Sequence, residues 1–246
     1  MKTSSGIAPE EAARFFDETK FAAALEQLRS FAQEENPSNT TTELVQWLDD
    51  MKAQNHIHQK RIGLKMLADW RMDERGRLIH KNGRFFKVVG IQVTSPSREV
   101  GTWSQPILDN AGTGIIGLLC RRMNNTTCFL MQAKAEAGNR NIVQIGPTVQ
   151  FTQENYRDNE GLEKPFLFDE FNQPDSFVLL KETRQSEEGA RFYMEQHVHK
   201  ILLLPDSVKL VLPPEYRWFS YNQIRFFLHL GETVNSCARS ILTCLL

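Results

Sequence analysis

The sequence has little that would mark a metalloprotein, a membrane protein or a nucleic-acid binder. Only four cysteines occur in 246 residues (Cys120, Cys128, Cys237 and Cys244), and none forms a CxxC pair or a zinc-type spacing. They read as free thiols of a reducing compartment. No apolar stretch approaches the roughly 20 residues that span a bilayer. The opening MKTSSGIAPEEAARFF lacks an uninterrupted apolar core of secretory type, so a cytoplasmic location without membrane attachment is expected. Charge of one sign is missing too: 29 Lys and Arg against 30 Asp and Glu leave a net −1, which provides no basic field for nucleic acid. No GxGxxG loop is present to suggest a bound dinucleotide.

What is present suits a globular enzyme or binding domain. Hydrophobic residues at 41% and charged residues at 24% are enough to build a real core. The length fits one large domain, or one domain with a helical extension. Phe15, Phe16, Phe21, Leu25, Leu28 and Phe31 recur at near-helical spacing among charges, which predicts an amphipathic helix over residues 9–35. Residues 1–36 are therefore read as an appended helical arm for packing or dimerisation, and 37–246 as one module. ENPSNTTT then breaks the pattern and offers N-caps to a second helix from about Glu43, with Leu44, Trp47, Leu48 and Met51 on one stripe.

From Gly83 the period changes to that of strands. RFFKVVGIQVTS, TGIIGLLCRRM, CFLMQAKAEA, NIVQIGPTVQFT, SFVLLKETR, a stretch near RFYMEQHVHKILLLP, and VKLVLP all read as extended. Asn124-Asn125 and Gly138-Asn139 mark turns. Ser220 with Gln223 forms a capping box, Gly231 can end that helix, and Thr233 can cap a last one. Helices, then strands, then helices predict an α+β domain with a mixed or antiparallel sheet flanked by helices.

One hairpin carries the polar chemistry. Between Cys128 and Glu136 one strand face holds Phe129, Met131, Ala133 and Ala135; the other holds Leu130, Gln132, Lys134 and Glu136. In the partner strand Val143, Ile145, Val149 and Phe151 alternate with Gln144, Thr148, Gln150 and Thr152. Pattern alone favours a half-exposed antiparallel sheet with one apolar and one polar face. A face rich in amides and hydroxyls also suits a sugar or nucleotide.

AKAEAGN (133–139) followed by GPTVQFTQENY (146–156) resembles the NDP-hexose 2,3-dehydratase family. EVGTWSQPIL (99–108), SEEGARFY (186–193), VNSCARSIL (234–242) and GRLIHKNGRFFKVVGIQV (76–93) extend the similarity, in the right order, over roughly residues 40–246. The resemblance implies a Nudix-like α+β fold and removal of water across C2 and C3 of a dTDP-4-keto-6-deoxyglucose. It implies no cofactor. Typical members carry two copies of the module and this chain has one, so a homodimer is expected to cover the surface a second module would occupy. The glutamate- and arginine-rich metal box of Nudix hydrolases is missing, and SEEGARFY lacks its spacing. Metal-dependent diphosphate cleavage is therefore disfavoured.

The dehydration needs a base for the C3 proton, an acid for the departing C2 hydroxyl, a donor for the enolate oxygen and cations for the diphosphate. Lys134 is a candidate for the enolate or the diphosphate, and Glu136 for the base; a cross-strand ion pair is the competing reading. Tyr156 and Tyr193 are candidate acids, or amphipathic packing residues. Arg191 and Arg239 suit a diphosphate, with Glu187 or Glu188 an available structural partner for Arg191. Gln132, Thr148, Gln150, Asn155, Ser186 and Glu187 complete the candidate binding set. Trp103 is a candidate to stack on the base or sugar, although core packing is the commoner use of such a residue. His197 and His199 share a strand face as two legs of a metal site would, but no third ligand is evident and structural histidines are favoured. His80, beside a turn glycine, is a weaker candidate base. Two other functions fit the same residues: a nucleotide-sugar-binding subunit without chemistry, and an epimerase or isomerase that uses the same C3 deprotonation.

Overall fold

The strand-forming half of the chain is organised by its most apolar run, GIIGLLC, which is buried on both sides. The computed structural model describes residues 36–83, 85–110, 112–156 and 161–245. The helix expected at residues 9–35 lies outside these. α1 spans Thr41–Gln54 and is closed at its start by a capping box, in which Thr40 accepts from the Glu43 amide and Glu43 from the Thr40 amide. Its stripe of Leu44, Trp47 and Leu48 is buried.

Four strands follow in one antiparallel sheet, in the order of the chain: β1 (Trp70–Met72), β2 (Leu78–His80), β3 (Phe86–Thr94) and β4 (Thr102–Asn110). The larger sheet has seven strands: β5 (Gly114–Met123), β6 (Thr126–Ala135), β7 (Val143–Gly146), β8 (Val149–Thr152), β9 (Val178–Ser186), β10 (Gln196–Leu203) and β11 (Tyr216–Ser220). Its path runs β11-β6-β5-β10-β9, with β7 on β6 and β8 on β5. Only β10 and β5 are parallel, so the sheet is mixed. Three further helices, α2 (Phe168–Asn172), α3 (Tyr221–His229) and α4 (Ser236–Thr243), complete an α+β architecture.

Every residue of β5 from Gly114 to Cys120 is buried, as expected of a strand covered on both faces. On one side Ile116, Leu118 and Cys120 pack with Phe129, Met131, Val143 and Ile145 beneath α1, α3 and α4. On the other, Ile115 and Leu119 pack with Leu130, Val149, Phe151, Phe171 and Tyr216. Each fully buried Leu, Ile or Phe contributes about 1.5–3 kcal/mol.

The two-faced hairpin of the sequence reading needs correction here. Val143 and Ile145 belong to the first core, whereas Val149 and Phe151 belong to the second. The strand changes partner at Gly146-Pro147-Thr148, leaving β6 for β5, so alternation does not carry through it and neither face is a solvent face. Thr148 sits in the fork with 0% exposure. Its hydroxyl accepts from the Leu119 amide at 2.8 Å and donates to the Leu130 carbonyl. It thus satisfies two backbone groups that the parting strands leave open.

Two other expectations also shift. VKLVLP forms no strand; Val208, Leu210 and Leu212 still pack alternately on the second core, but Pro205 precedes them and Pro213-Pro214 ends them, and the next ladder is β11. Asn235, not Thr233, caps α4: its side chain accepts from the Ala238 amide, while the Thr233 hydroxyl donates to the Phe227 carbonyl.

The small sheet is joined to the β9–β10 connection. Leu108 and Phe192 form a parallel bridge, with Leu108 N–H to Arg191 O and Tyr193 N–H to Leu108 O, each 2.8 Å.

Replacing Thr148 with Val keeps the shape and removes both bonds. The loss expected is about 1–3 kcal/mol for each backbone group left unpaired, read as a lower urea midpoint with unchanged slope. Thr148→Ser should retain most of the stability. An unchanged midpoint in Thr148→Val would show that the fork is closed by something else.

Candidate functional site

The partner switch places side chains of both branches in one cluster. Lys134 follows the fork on β6, opposite Gln144, and its stem lies across Gly146. A Cβ on that glycine would stand 3.3 Å from Lys134 Cβ and 3.3 Å from Asn235 Nδ2, so the strand must come close here without a side chain. Lys134 Nζ donates to the Gln150 carbonyl at 3.4 Å. The Gln150 side chain donates to Glu136 Oε1 at 3.3 Å and accepts from Asn235 Nδ2 at 3.4 Å. The other oxygen of Glu136 accepts from Asn139 Nδ2 at 3.0 Å, within the hairpin loop. Asn235 is fixed in turn by capping α4 and by its own amide, which donates to Ile145 O at 2.9 Å.

Burial governs the electrostatics. It lowers the Lys134 pKa, against the opposing pull of Glu136. Burial pushes the Cys237 thiol, which senses Glu136, Glu187 and Lys134, up to about 11. Cys237 is therefore a thiol at neutral pH and not a nucleophile. Glu187 links this cluster to a second group at the end of β9 and the start of β10. There Glu187 Oε1 lies 2.9 Å from His197 Nδ1, off the line of a directed hydrogen bond, and Glu195 Oε1 lies 3.3 Å from His197 Nε2. Gly114 makes room for that imidazole, since a Cβ there would be 2.4 Å from the ring.

The other expected residues are distributed as follows. Gln132 is half-buried opposite Gly146 and Tyr216. Thr148 is committed to the fork. Tyr156 packs its ring on Phe151 and Phe168 in the second core, and burial raises its pKa, so it keeps its proton. Asn155 lies in a 3-10 turn at the end of β8 and lines a cavity between the sheets. Trp103 donates to Gln105 Oε1 on its own strand at 2.8 Å. Ser186 ends β9, exposed and opposite Gln196. Arg191 is 73% exposed and pairs with Glu188 at 3.0 Å; Tyr193 lies on the same docked segment. Arg239, on α4, donates to the Val234 carbonyl just before that helix. His199 is buried against the Ser240 hydroxyl at 2.8 Å, and burial lowers its pKa. His80 packs edge-on against Trp70 and Phe85.

The structure therefore gathers Lys134, Glu136 and Gln150, and adds Asn139, Asn235 and Cys237. Of the three added, Asn139 was legible only as a turn residue, and Asn235 lies two positions from the residue expected to cap α4. The cluster offers a cation in a low-dielectric setting beside a carboxylate whose orientation two amides hold. That suits removal of a proton next to a carbonyl whose oxygen gains charge.

The unfolded chain holds the Lys134 proton with the ordinary value of 10.5, more tightly than the folded one. The cost of burying the ammonium is thus fully present below the depressed folded value. Stability is regained as pH rises from there towards 10.5. In carbon-13 spectra of reductively methylated protein, one lysine resonance should titrate below the rest and vanish in Lys134→Ala. Titration of every lysine in the ordinary range would contradict this environment.

Comparison with known proteins gives a consistent assignment. The profile of the NDP-hexose 2,3-dehydratase family matches residues 41–245. A dTDP-4-dehydro-6-deoxy-alpha-D-glucopyranose 2,3-dehydratase of Streptomyces violaceoruber is 33% identical over 211 residues, covering 85% of this chain and 47% of that protein. One of the same name from Amycolatopsis orientalis is 33% identical over 214 residues, covering 83% and 44%. The chain thus spans about half the length of these relatives. Among solved structures, an ADP compounds hydrolase aligns at TM-score 0.40 and 10% identity, covering 66% of this chain and 85% of that one. The Ap4A hydrolase of C. elegans aligns at TM-score 0.33 and 10% identity, covering 55% and 99%. The profile match, spanning both sheets and the Lys134–Glu136 cluster, shows that the chain belongs to the NDP-hexose 2,3-dehydratase family.

Proposed function

We propose that the chain removes water across C2 and C3 of a dTDP-4-keto-6-deoxyhexose. The observation that carries this reading is the half-buried Lys134 beside Glu136, whose ammonium donates to the Gln150 carbonyl, within a chain of this family. Glu136 takes the C3 proton, and the electron pair moves towards the C4 oxygen, where the Lys134 ammonium stabilises the enolate. The enolate then expels the C2 hydroxyl, which leaves as water once protonated. The C2=C3 enol that remains becomes a 3,4-diketo-2,6-dideoxy sugar. Tyr156 and Tyr193 are the candidate donors to the leaving hydroxyl. The setting proposed is the cytoplasm, where the four free cysteines stay reduced. No helix among the described residues is long and apolar enough to cross a membrane, and neither membrane nor nucleic acid is proposed as a partner.

A homodimer is part of this reading. β9, at the edge of the larger sheet, leaves Val178, Leu179 and Leu180 between 46% and 53% exposed. An exposed apolar stretch at the start of an edge strand invites pairing.

Incubation with dTDP-4-keto-6-deoxyglucose should give a product lighter by one water. Lys134→Ala and Glu136→Gln should each lower turnover by about 100- to 10,000-fold while the protein stays folded. Turnover within a few-fold of the parent in both variants would place the chemistry elsewhere. Light scattering should give a particle of twice the 28.3 kDa chain mass; a monomer at micromolar concentration would contradict the dimer.

A further inference from the structure

A cavity of about 310 Å³ opens between the two sheets, and the proposed chemistry makes no use of it. One wall is aromatic: Phe85 and Phe86 line it, with Phe85 edge-on against His80 and Phe86 tilted against Trp70 at 4.9 Å each. The ring wall is thus backed by a second layer of rings. Phe86 remains 39% exposed. Asn110, Thr152 and Glu154 supply polar groups around it, and Gly112 lets the Glu154 carboxylate come close, since a Cβ there would stand 2.4 Å from it. Phe85 holds a φ of 67°, a left-handed conformation rare for a bulky side chain and characteristic of positions where the surroundings impose a geometry.

An aromatic lining with hydrogen-bonding groups around it suits a nucleobase, which has a π-face and a polar edge. The cavity also lies where a sugar nucleotide would need it. Thr152 in its wall and Gln150 in the Lys134–Glu136 cluster alternate on one face of β8, roughly 7 Å apart. A ligand with its sugar at Gln150 would run past Thr152 and reach the aromatic wall with its base.

We propose that this cleft holds the nucleobase of the sugar nucleotide, in contact with the rings of Phe85 and Phe86. The proposal rests on the dehydratase reading above and moves the base-holding role from Trp103 to the tip of β3. Isothermal titration of the full chain with dTDP, and with inorganic pyrophosphate as a base-free probe, tests it. Phe85→Gly is the informative variant, because glycine accepts the φ of 67° while the ring is lost. Phe86→Leu, which keeps β3 apolar, provides a second reading. Both variants should bind dTDP about tenfold more weakly or worse, with pyrophosphate affinity and thermal midpoint close to the parent. Parent-like dTDP affinity in both, or an equal loss for pyrophosphate, overturns the base slot and leaves the dehydratase reading standing. Failure of the parent to bind dTDP overturns both.

Discussion

Where β5 and β6 part company, after Leu119 and Leu130, the hydroxyl of Thr148 takes up the amide of one and the carbonyl of the other. Without it two backbone groups would be buried and unpaired, a cost comparable to a sizeable share of a domain's net stability. The fork lets one continuous segment serve both strands, with β7 completing β6 and β8 completing β5. It also sends Val143 and Ile145 into one core and Val149 and Phe151 into the other. The sheet is thereby covered on both faces by a chain that has only short helices after α1.

The same split produces the polar cluster. Lys134 comes from one branch and Gln150 from the other, and they meet because the branches are separated by no more than the width of Gly146. Partial burial of the Lys134 ammonium costs desolvation, which a nearby carboxylate offsets only in good geometry. Here the orientation of Glu136 is supplied by Gln150 and Asn139, and that of Gln150 by Asn235 at the start of α4. α4 is in turn tied to β7 through Asn235 and Ile145. The charged pair is thus held by elements with their own reasons for being in place, the arrangement that a preorganised site requires.

Local structure was the legible part of the sequence. The Ser220–Gln223 box starts a helix as read, the cap-rich ENPSNTTT segment supplies Thr40 as the N-cap of α1, and Asn124 and Asn125, at φ 46° and 66°, make the turn after β5. These are decided within a few residues. The fork was not legible, because Thr148 bonds to residues 29 and 18 positions away and nothing nearby reveals the change of partner. VKLVLP shows the complementary failure: its alternation reflects real alternating burial, but prolines on both sides leave it without a ladder. Alternation and family resemblance together picked out Lys134, Glu136 and Gln150. They did not pick out Asn235, which meets Gln150 across 85 positions. Arg191 was read with two possible roles, and its contact with Glu188 is a local one.

The central claim is that the substrate's reacting end lies against Lys134. The carbon-13 resonance of methylated Lys134 reports on this directly when dTDP-4-keto-6-deoxyglucose is added to the protein. The account predicts that this resonance moves with saturable dependence on ligand, while those of Lys52 and Lys164, paired with Asp49 and Asp169, stay still. A Lys134 resonance that remains in place while the ligand demonstrably binds would contradict it.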